Sequence, residues 1–305
     1  MMGFIDGRPI WTGIACMTAG ASLYTAVDAI VKWLVADYPI AEVVFLRSLF
    51  SILFLLPFVL RQWPVAALSN QPSLQLLRGC LGLTASFAFF VAFRELSLSL
   101  VVVIGFAAPL AMAILSGPLL GEAVSGRRWI ALMTGFAGVV IAVKPALGAE
   151  PLGIAAAVAG TVLFAGAMIL SRRLGRTDKS LTTVFWSTLV SVGGAGILVP
   201  GVWTPPPLFD LGLFAAAGML AGIGNLLITQ AVRLAPVATV APFDYVQIPF
   251  AAFLGWFIWS ETIALHTLIG AAIIVFCGLY IVGEERRKSR SPRSKNILNI
   301  SNNYD

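Results

Sequence analysis

The chain has 305 residues, of which 59% are hydrophobic and 11% are charged, and its formal net charge is +6. Charged side chains this sparse cannot coat a water-soluble protein of that length, so the composition excludes an ordinary soluble domain. A positive balance is also typical of nucleic-acid-binding proteins. No aromatic platform or recognised binding fold accompanies the charge here, so we expect no nucleic-acid partner.

Long apolar segments follow one another along almost the whole chain. A segment of about 20 apolar residues spans a hydrocarbon core of about 30 Å, and as a helix it satisfies its own backbone hydrogen bonds. We therefore predict an all-α integral membrane protein with ten transmembrane helices. The predicted spans are residues 11–34, 40–60, 72–93, 97–120, 128–144, 152–171, 181–200, 208–232, 235–259 and 264–283. We expect the first span to be retained, since it is too long for the apolar core of a signal peptide.

Lysine and arginine are distributed unevenly between the loops. With the N-terminus in the cytoplasm, the outer side holds only Lys32, Arg94 and Lys144, and Arg47 falls inside a span. The positive-inside rule then predicts that both termini lie in the cytoplasm. The positive residues assigned to the inner loops and tails are Arg8, Arg61, Arg78, Arg127, Arg128, Arg172, Arg173, Arg176, Lys179, Arg233, Arg286, Arg287, Lys288, Arg290, Arg293 and Lys295.

Motifs of enzymes, metal sites and pumps are missing from the sequence. Cys16, Cys80 and Cys277 lie inside spans without a second cysteine nearby, so we expect them to be packing residues. His266 is the single histidine, and the sequence contains no HExxH and no GxxxxGK[ST]. We therefore expect no enzyme activity, no metal and no cofactor, and the loops are too short for the nucleotide-binding domain of a primary pump. A channel or a membrane scaffold without carrier activity stays open.

The sequence contains an internal repeat of five spans. VVFLRSLFS at residues 43–51 aligns with TVFWSTLVS at residues 183–191, an offset of 140, and Glu122 aligns with Glu261 at an offset of 139. Because five is an odd number, the second copy must enter the membrane from the opposite side. Inverted repeats of this kind are typical of secondary transporters, with the substrate site near the midplane between the halves.

The repeat divides the chain into three parts. We predict a first repeat over residues 10–145 and a second over residues 151–284. Residues 285–305 are basic and serine-rich and contain no apolar segment that could form a core. We predict that they form a disordered cytoplasmic tail that is attracted to anionic lipid headgroups.

The segments DAIVKWL, EVVFLRSLFS, PLAMAILSGPLLGE and ATVAPFDYVQIPFAAFLGWFIWSE resemble the drug/metabolite transporter superfamily, specifically its ten-helix group with two EamA-type repeats. The resemblance implies a bundle around a central cavity and alternating access for a small organic metabolite. EVVFLRSLFS and ATVAPFDYVQ are most similar to bacterial carriers of riboflavin or S-adenosylmethionine. Uptake of riboflavin or a similar vitamin is therefore the first hypothesis, and import or export of S-adenosylmethionine or an amino acid is the alternative.

Two opposite charges lie inside the first two spans. Ionisable groups at such positions are costly, so they mark functional sites by default. At a rise of 1.5 Å per residue, Asp28 and Arg47 both lie roughly 10 Å below the outer surface, and Lys32 is one helical turn above Asp28. We expect Asp28 and Arg47 to pair across the two helices. The pair would act as a charged outer gate or a clamp for a substrate carboxylate, or else as a structural ion pair.

A second polar cluster is predicted on the inner half of spans eight and nine, with one member nearer the midplane. Its members are Asn225, Gln230, Asp244, Tyr245 and Gln247. The first repeat has Gly105 at the position of Asp244, so a symmetric scaffold does not need this carboxylate. Asp244 is therefore a candidate for substrate binding or for coupling to protons, unless it only caps backbone exposed near Pro242. Prolines such as Pro109 and Pro249 predict kinks in spans four and nine.

The predicted topology can be tested with reporter fusions. A reporter after residue 290 and one near residue 176 should both report the cytoplasm, because the lysines and arginines concentrate there. A reporter near residue 148 should report the outer side. If the reporters at residues 148 and 176 lie on the same side, the arrangement of five plus five inverted spans is wrong.

Overall fold

The computed structural model describes residues 8–64, 67–108, 110–112, 114–115, 126–143, 151–175, 177–234 and 241–289. Every regular element in these ranges is helical, which confirms the predicted all-α fold. The ten α-helices in these ranges are α1 (Arg8–Asp37), α2 (Ile40–Arg61), α3 (Pro72–Glu95), α4 (Leu98–Gly105), α5 (Gly126–Val143), α6 (Pro151–Leu174), α7 (Ser180–Gly196), α8 (Leu208–Leu234), α9 (Gln247–Trp259) and α10 (Leu265–Ser289). Two 3-10 helices cover Val199–Gly201 and Ala241–Val246.

Six segments in the described ranges are long and apolar enough to cross a bilayer as single helices. They are Ile10–Asp37, Ile40–Arg61, Pro72–Glu95, Pro151–Ser171, Ser180–Gly201 and Leu208–Ile228. Shorter apolar segments cover Leu98–Met112, Met133–Ala142 and Leu265–Cys277. Helix α10 continues to Ser289, past residue 284 where we expected the second repeat to end, and residues 290–305 lie outside the described part of the chain.

Span nine is not the single kinked helix that we predicted over residues 235–259. Its α-helix begins only at Gln247, and a 3-10 helix that contains Pro242 comes before it. Pro249 lies in the first turn of α9, where a missing backbone N–H removes no intrahelical hydrogen bond, so it does not kink that helix. Asp244 therefore lies on a 3-10 segment. Pro109 and residues 235–240 lie outside the described part.

Polar contacts between loops define the two ends of the bundle. At the first, which we name the Lys32 end, the Tyr38 hydroxyl donates to Asp210 Oδ2 at 2.6 Å, and the backbone N–H of Thr204 donates to Glu42 Oε2 at 2.9 Å. Burial and the hydrogen bond to Asp210 raise the pKa of Tyr38 to about 12. These contacts fasten the turn between α1 and α2 to the start of α8.

At the opposite end, which we name the Asp178 end, the loop between α2 and α3 docks on the loop between α6 and α7. Asp178 accepts hydrogen bonds from the Ser69 hydroxyl, from the Asn70 backbone N–H at 3.0 Å and from Gln75 Nε2 at 2.8 Å. Burial acts to raise the pKa of Asp178, but these bonds outweigh it and hold the pKa below its ordinary value. The carboxylate thus joins the two halves of the chain while charged.

The two halves run in opposite directions, as the odd repeat requires. Helix α1 ends at the Lys32 end, whereas α6, its repeat counterpart, ends next to Asp178. The packing has the same symmetry: α1 packs on α8 as α6 packs on α3, and α2 packs on α8 as α7 packs on α3. Helices α2 and α7 contact each other, and so do α5 and α10. Inverted duplication of the fold is confirmed.

Glycines mark the closest approaches between the halves, and they too are duplicated. Gly20 on α1 faces α8, and Gly160, 140 residues later, faces α3. Gly79 on α3 faces α7, and Gly218, 139 residues later, faces α2. Small residues let helix backbones approach closely inside a membrane, where packing replaces the hydrophobic effect as the attractive force.

Gly218→Ala should destabilise the protein. A Cβ at Gly218 would lie 2.6 Å from the Arg47 carbonyl oxygen and 2.7 Å from the Ser51 backbone nitrogen. Because backbone atoms cannot rotate away, α8 must move off α2, and we expect a loss of about 1–3 kcal/mol. The measurement is the melting temperature of the purified protein in detergent. Gly212→Ala on the same helix has no neighbour within 4 Å and is the matched control. Equal melting temperatures of the two variants would contradict this packing.

Candidate functional site

Five ionisable side chains gather where α1, α2 and α3 meet the 3-10 helix of Ala241–Val246. The charges of Arg47, Asp28, Arg78 and Asp244 all act on Tyr24. We name Tyr24, Asp28, Arg47, Arg78 and Asp244 the charged cluster. Protein surrounds each of them, yet each keeps part of its surface accessible. That combination is typical of side chains that line an internal polar space.

The side chains of the charged cluster lie at different depths along the axis of the bundle. Arg47 lies seven residues from the start of α2 at the Lys32 end, and Arg78 lies six residues from the start of α3 at the Asp178 end. At 1.5 Å per residue, each is roughly 10 Å from its own end. Asp28 lies near the level of Arg47, toward the Lys32 end. Asp244 lies toward the Asp178 end, as Arg78 does, and Tyr24 lies between these two levels. The charges of Asp28 and Arg47 act on each other, whereas Arg78 and Asp244 each act on Tyr24.

Asp28 and Arg47 do not form the direct ion pair that we predicted. Their charges act on each other, but the one ion pair among the described residues joins Lys32 to Glu261. The Arg47 guanidinium instead lies over the Phe90 ring of α3, 5.3 Å from its centroid, and this ring occupies one face of the cation. The buried Nε of Arg47 has no hydrogen-bond partner. A buried donor in this state is available to a ligand acceptor.

Arg78 is not the loop residue that we assigned to the cytoplasmic side. It lies inside α3, half-buried, where its Nε donates to Ser171 Oγ at 2.6 Å and its Nη1 donates to the Thr183 carbonyl at 3.4 Å. Both acceptors belong to the second half of the chain. The signal was present in the sequence, since our predicted span of residues 72–93 already contained this arginine. Tyr24 was missed because a single tyrosine in an apolar span carries no signal of its own.

The predicted inner cluster is brought together only in part. Asp244 Oδ1 accepts a hydrogen bond from Gln247 Nε2 at 2.8 Å. The Tyr245 ring packs against Phe106 with centroids 5.0 Å apart. Asn225 is half-buried and Gln230 is exposed on α8, and among the described residues no hydrogen bond joins either to Asp244 or Tyr245.

The charges of the cluster are absent from the equivalent positions of the other repeat. Asp28 corresponds to Met168, and Arg47 corresponds to Ser187, both at an offset of 140. A requirement of the scaffold would recur in both repeats, so this asymmetry favours a role in binding. In the part of the chain that the structure describes, no group of three His, Cys, Asp or Glu side chains is placed to hold a metal ion.

Comparison with known proteins supports these observations. The model of the EamA-like transporter family matches residues 11–144 and again residues 151–283. A solved crystal structure superposes with a TM-score of 0.64 over 92% of this chain and 99% of the other, at 16% identity, which shows a shared fold alone.

Three similar relatives are transporters whose substrates differ. The chain is 27% identical to an S-adenosylmethionine uptake transporter of Rickettsia bellii over 86% of this chain and 90% of the relative. It is 25% identical to a riboflavin transporter of Rhizobium johnstonii over 92% and 94%, respectively. It is 26% identical to the pseudopaline exporter CntI of Pseudomonas aeruginosa over 87% and 93%.

Asp28→Asn should destabilise the protein more than removal of both charges. The single change leaves the Arg47 charge without the nearest carboxylate that acts on it, at a loss of up to about 3 kcal/mol. The double variant Asp28→Asn with Arg47→Gln should melt at a higher temperature in detergent than Asp28→Asn alone. Asp37→Asn, at the exposed end of the same helix, is the control and should have little effect. A double variant no more stable than the single one would show that the two charges do not compensate each other.

Proposed function

The chain belongs to the EamA-like transporter family, and on this basis we propose that it is a secondary carrier that works by alternating access. It is a multi-pass membrane transporter of small metabolites and not an enzyme. The observation that supports the carrier mechanism is the charged cluster, which lies at the seam between two inverted halves. In transporters built from inverted repeats, the substrate site lies at that seam, near the midplane.

The proposed transport cycle follows from the packing of the two halves. Helix α1 belongs to the first half but packs on α8 and on the 3-10 helix of the second. A movement of one half against the other therefore changes the surroundings of Tyr24 and Asp28 on α1. We propose that this movement exposes the charged cluster to the Lys32 end and the Asp178 end in turn, with the substrate bound near Tyr24.

The chemistry of the cluster favours a zwitterionic substrate with an aromatic part. The unpartnered Nε of Arg47 suits a carboxylate, and Asp28 and Asp244 suit an ammonium or sulfonium group. Phe106 and Tyr245 offer aromatic surface beside Asp244. S-adenosylmethionine has all of these groups, and the relative from Rickettsia bellii is an uptake transporter for it. We propose uptake of S-adenosylmethionine or of a similar amino-acid derivative.

Riboflavin, the first hypothesis from the sequence, is the second candidate. The ring pair of Phe106 and Tyr245 and the 25% identity to a riboflavin transporter favour a flat aromatic ligand. A neutral vitamin, however, leaves the four charges of the cluster without a ligand partner. Export of an amino-acid derivative is a further alternative, since the relative CntI is a pseudopaline exporter.

Orientation, coupling and chain organisation complete the proposal. We propose that the Lys32 end faces the outside of a bacterial inner membrane, with both termini in the cytoplasm. Asp244 is the proposed site of coupling to protons, because a carboxylate in a low-dielectric cavity can exchange a proton near neutral pH. We further propose that the repeats occupy residues 10–145 and 151–284, followed by a basic tail over residues 285–305.

Counterflow into proteoliposomes tests the carrier proposal. Vesicles loaded with unlabelled S-adenosylmethionine should take up labelled S-adenosylmethionine transiently and saturably, because a carrier exchanges ligand faster than it moves empty. Arg47→Gln should reduce the rate about tenfold, equivalent to about 1.4 kcal/mol of lost binding. Arg61→Gln at the exposed end of the same helix is the matched control.

Three outcomes of the same assay would change the proposal. Counterflow with riboflavin alone would favour the second candidate. Flux without saturation or counterflow would favour a channel, and no flux with any metabolite would favour a scaffold.

Net uptake by Asp244→Asn with an unchanged dependence on pH between about pH 5 and pH 8 would remove Asp244 from proton coupling.

A further inference from the structure

An ion pair joins the two halves at the Lys32 end. Lys32 Nζ lies 3.0 Å from Glu261 Oε1, and the two side chains are 11% and 18% exposed. Lys32 belongs to α1 in the first half, and Glu261 follows α9 in the second. Helix α1 also packs on α9, so the pair closes over a direct contact between the halves.

Both partners also hold the connection between α3 and α4. Lys32 Nζ donates to the Leu96 carbonyl at 2.5 Å and to the Phe93 carbonyl at 3.3 Å. Carbonyls at the end of a helix have no intrahelical donor, so a lysine there satisfies them. Glu261 Oε2 accepts the backbone N–H of Leu98, the first residue of α4, at 3.1 Å. The ion pair thus ties four helices together at one point.

The backbone around Glu261 is shaped to hold the carboxylate in this position. Ser260 has a φ of 56°, a left-handed conformation that turns the chain sharply at the end of α9. A Cβ at Gly255 would lie 2.6 Å from Glu261 Oε2, so only glycine leaves room for this side chain. Trp259 contributes its ring 5.5 Å from Lys32 Nζ.

The ion pair lies between an outer cavity and the charged cluster. On one side is a cavity of about 280 Å³, which is lined by Glu261, Ser97, Thr262 and His266 among others. On the other side is Asp28, one turn before Lys32 on α1 and therefore roughly 6 Å deeper. Glu261 lines this cavity, and its partner Lys32 shares α1 with Asp28, so the ion pair joins the two regions.

We propose that Lys32 and Glu261 form the latch of the entrance at the Lys32 end. The pair is bonded while that entrance is closed, and it parts when the substrate passes to the charged cluster. This proposal rests on the proposed carrier function. The partial exposure of both groups allows water to solvate them when they separate, which a pair in a dry interior could not do. Because Asp28 and Lys32 share α1, a ligand at Asp28 that moves this helix also moves the latch.

A reversible cross-link tests whether the ion pair must open during transport or stays closed throughout. The variant carries Lys32→Cys and Glu261→Cys in a chain whose Cys16, Cys80 and Cys277 are replaced by alanine. A bifunctional thiosulfonate should reduce counterflow at least tenfold, and a reductant should restore it. Treatment of the same variant with a monofunctional thiosulfonate is the control and should leave most counterflow intact, because it modifies both cysteines without joining the halves. Unchanged counterflow of the cross-linked latch variant would overturn the proposal.

A second measurement does not depend on transport. With Tyr24→Cys in the same background, labelling by a membrane-impermeant maleimide added at the Lys32 end should accelerate at least fivefold when Glu261→Gln breaks the pair. If Glu261→Gln leaves the labelling rate unchanged, the latch proposal is wrong. If no metabolite is carried but Glu261→Gln accelerates labelling, the carrier proposal fails and the latch stands.

Discussion

A charge inside a hydrocarbon layer must be compensated, since an ionised side chain at the centre of a transmembrane helix costs about 2.5–3.5 kcal/mol on insertion scales. In the described part of the chain, four such charges lie at one seam between the two halves. Asp28 and Arg47 lie nearer the Lys32 end, and Arg78 and Asp244 lie nearer the Asp178 end. The charges of all four act on Tyr24. Asp28 and Arg47 act on each other, and the four charged side chains make this seam polar.

The scaffold around the seam is symmetric, but its chemistry is not. Duplicated glycines such as Gly79 and Gly218 bring the helices of the two halves into contact in the same way. The charged residues have no charged equivalents at the aligned positions of the other repeat, where, for example, Met168 corresponds to Asp28. A symmetric frame can adopt two states that are related by its pseudo-two-fold axis and similar in free energy, as alternating access requires. The asymmetric charges then provide the single binding site that we propose for both states.

The fold followed from the sequence far more completely than the site did. Apolar length predicts membrane helices because backbone groups have no other partners in lipid, and nine of the ten spans correspond to a described helix that begins within a few residues of its predicted start. Pairing of side chains depends on helix rotation, which hydropathy does not report. Depth alone therefore paired Asp28 with Arg47, whereas the structure places Phe90 over the guanidinium. The sequence assigned Lys32 to the outer side and showed Glu261 only as the repeat counterpart of Glu122. Their contact joins residues 229 positions apart and depends on the packing of α1 on α9.

The central claim is that the substrate binds at the charged cluster between the halves. The most direct measurement is an experimental structure of the full chain in a lipid nanodisc with S-adenosylmethionine bound. We predict ligand density beside Tyr24, with its carboxylate on Arg47 and its positive groups toward Asp28 or Asp244. Density only in the cavity beside Glu261 and His266, with the cluster empty, would contradict the account.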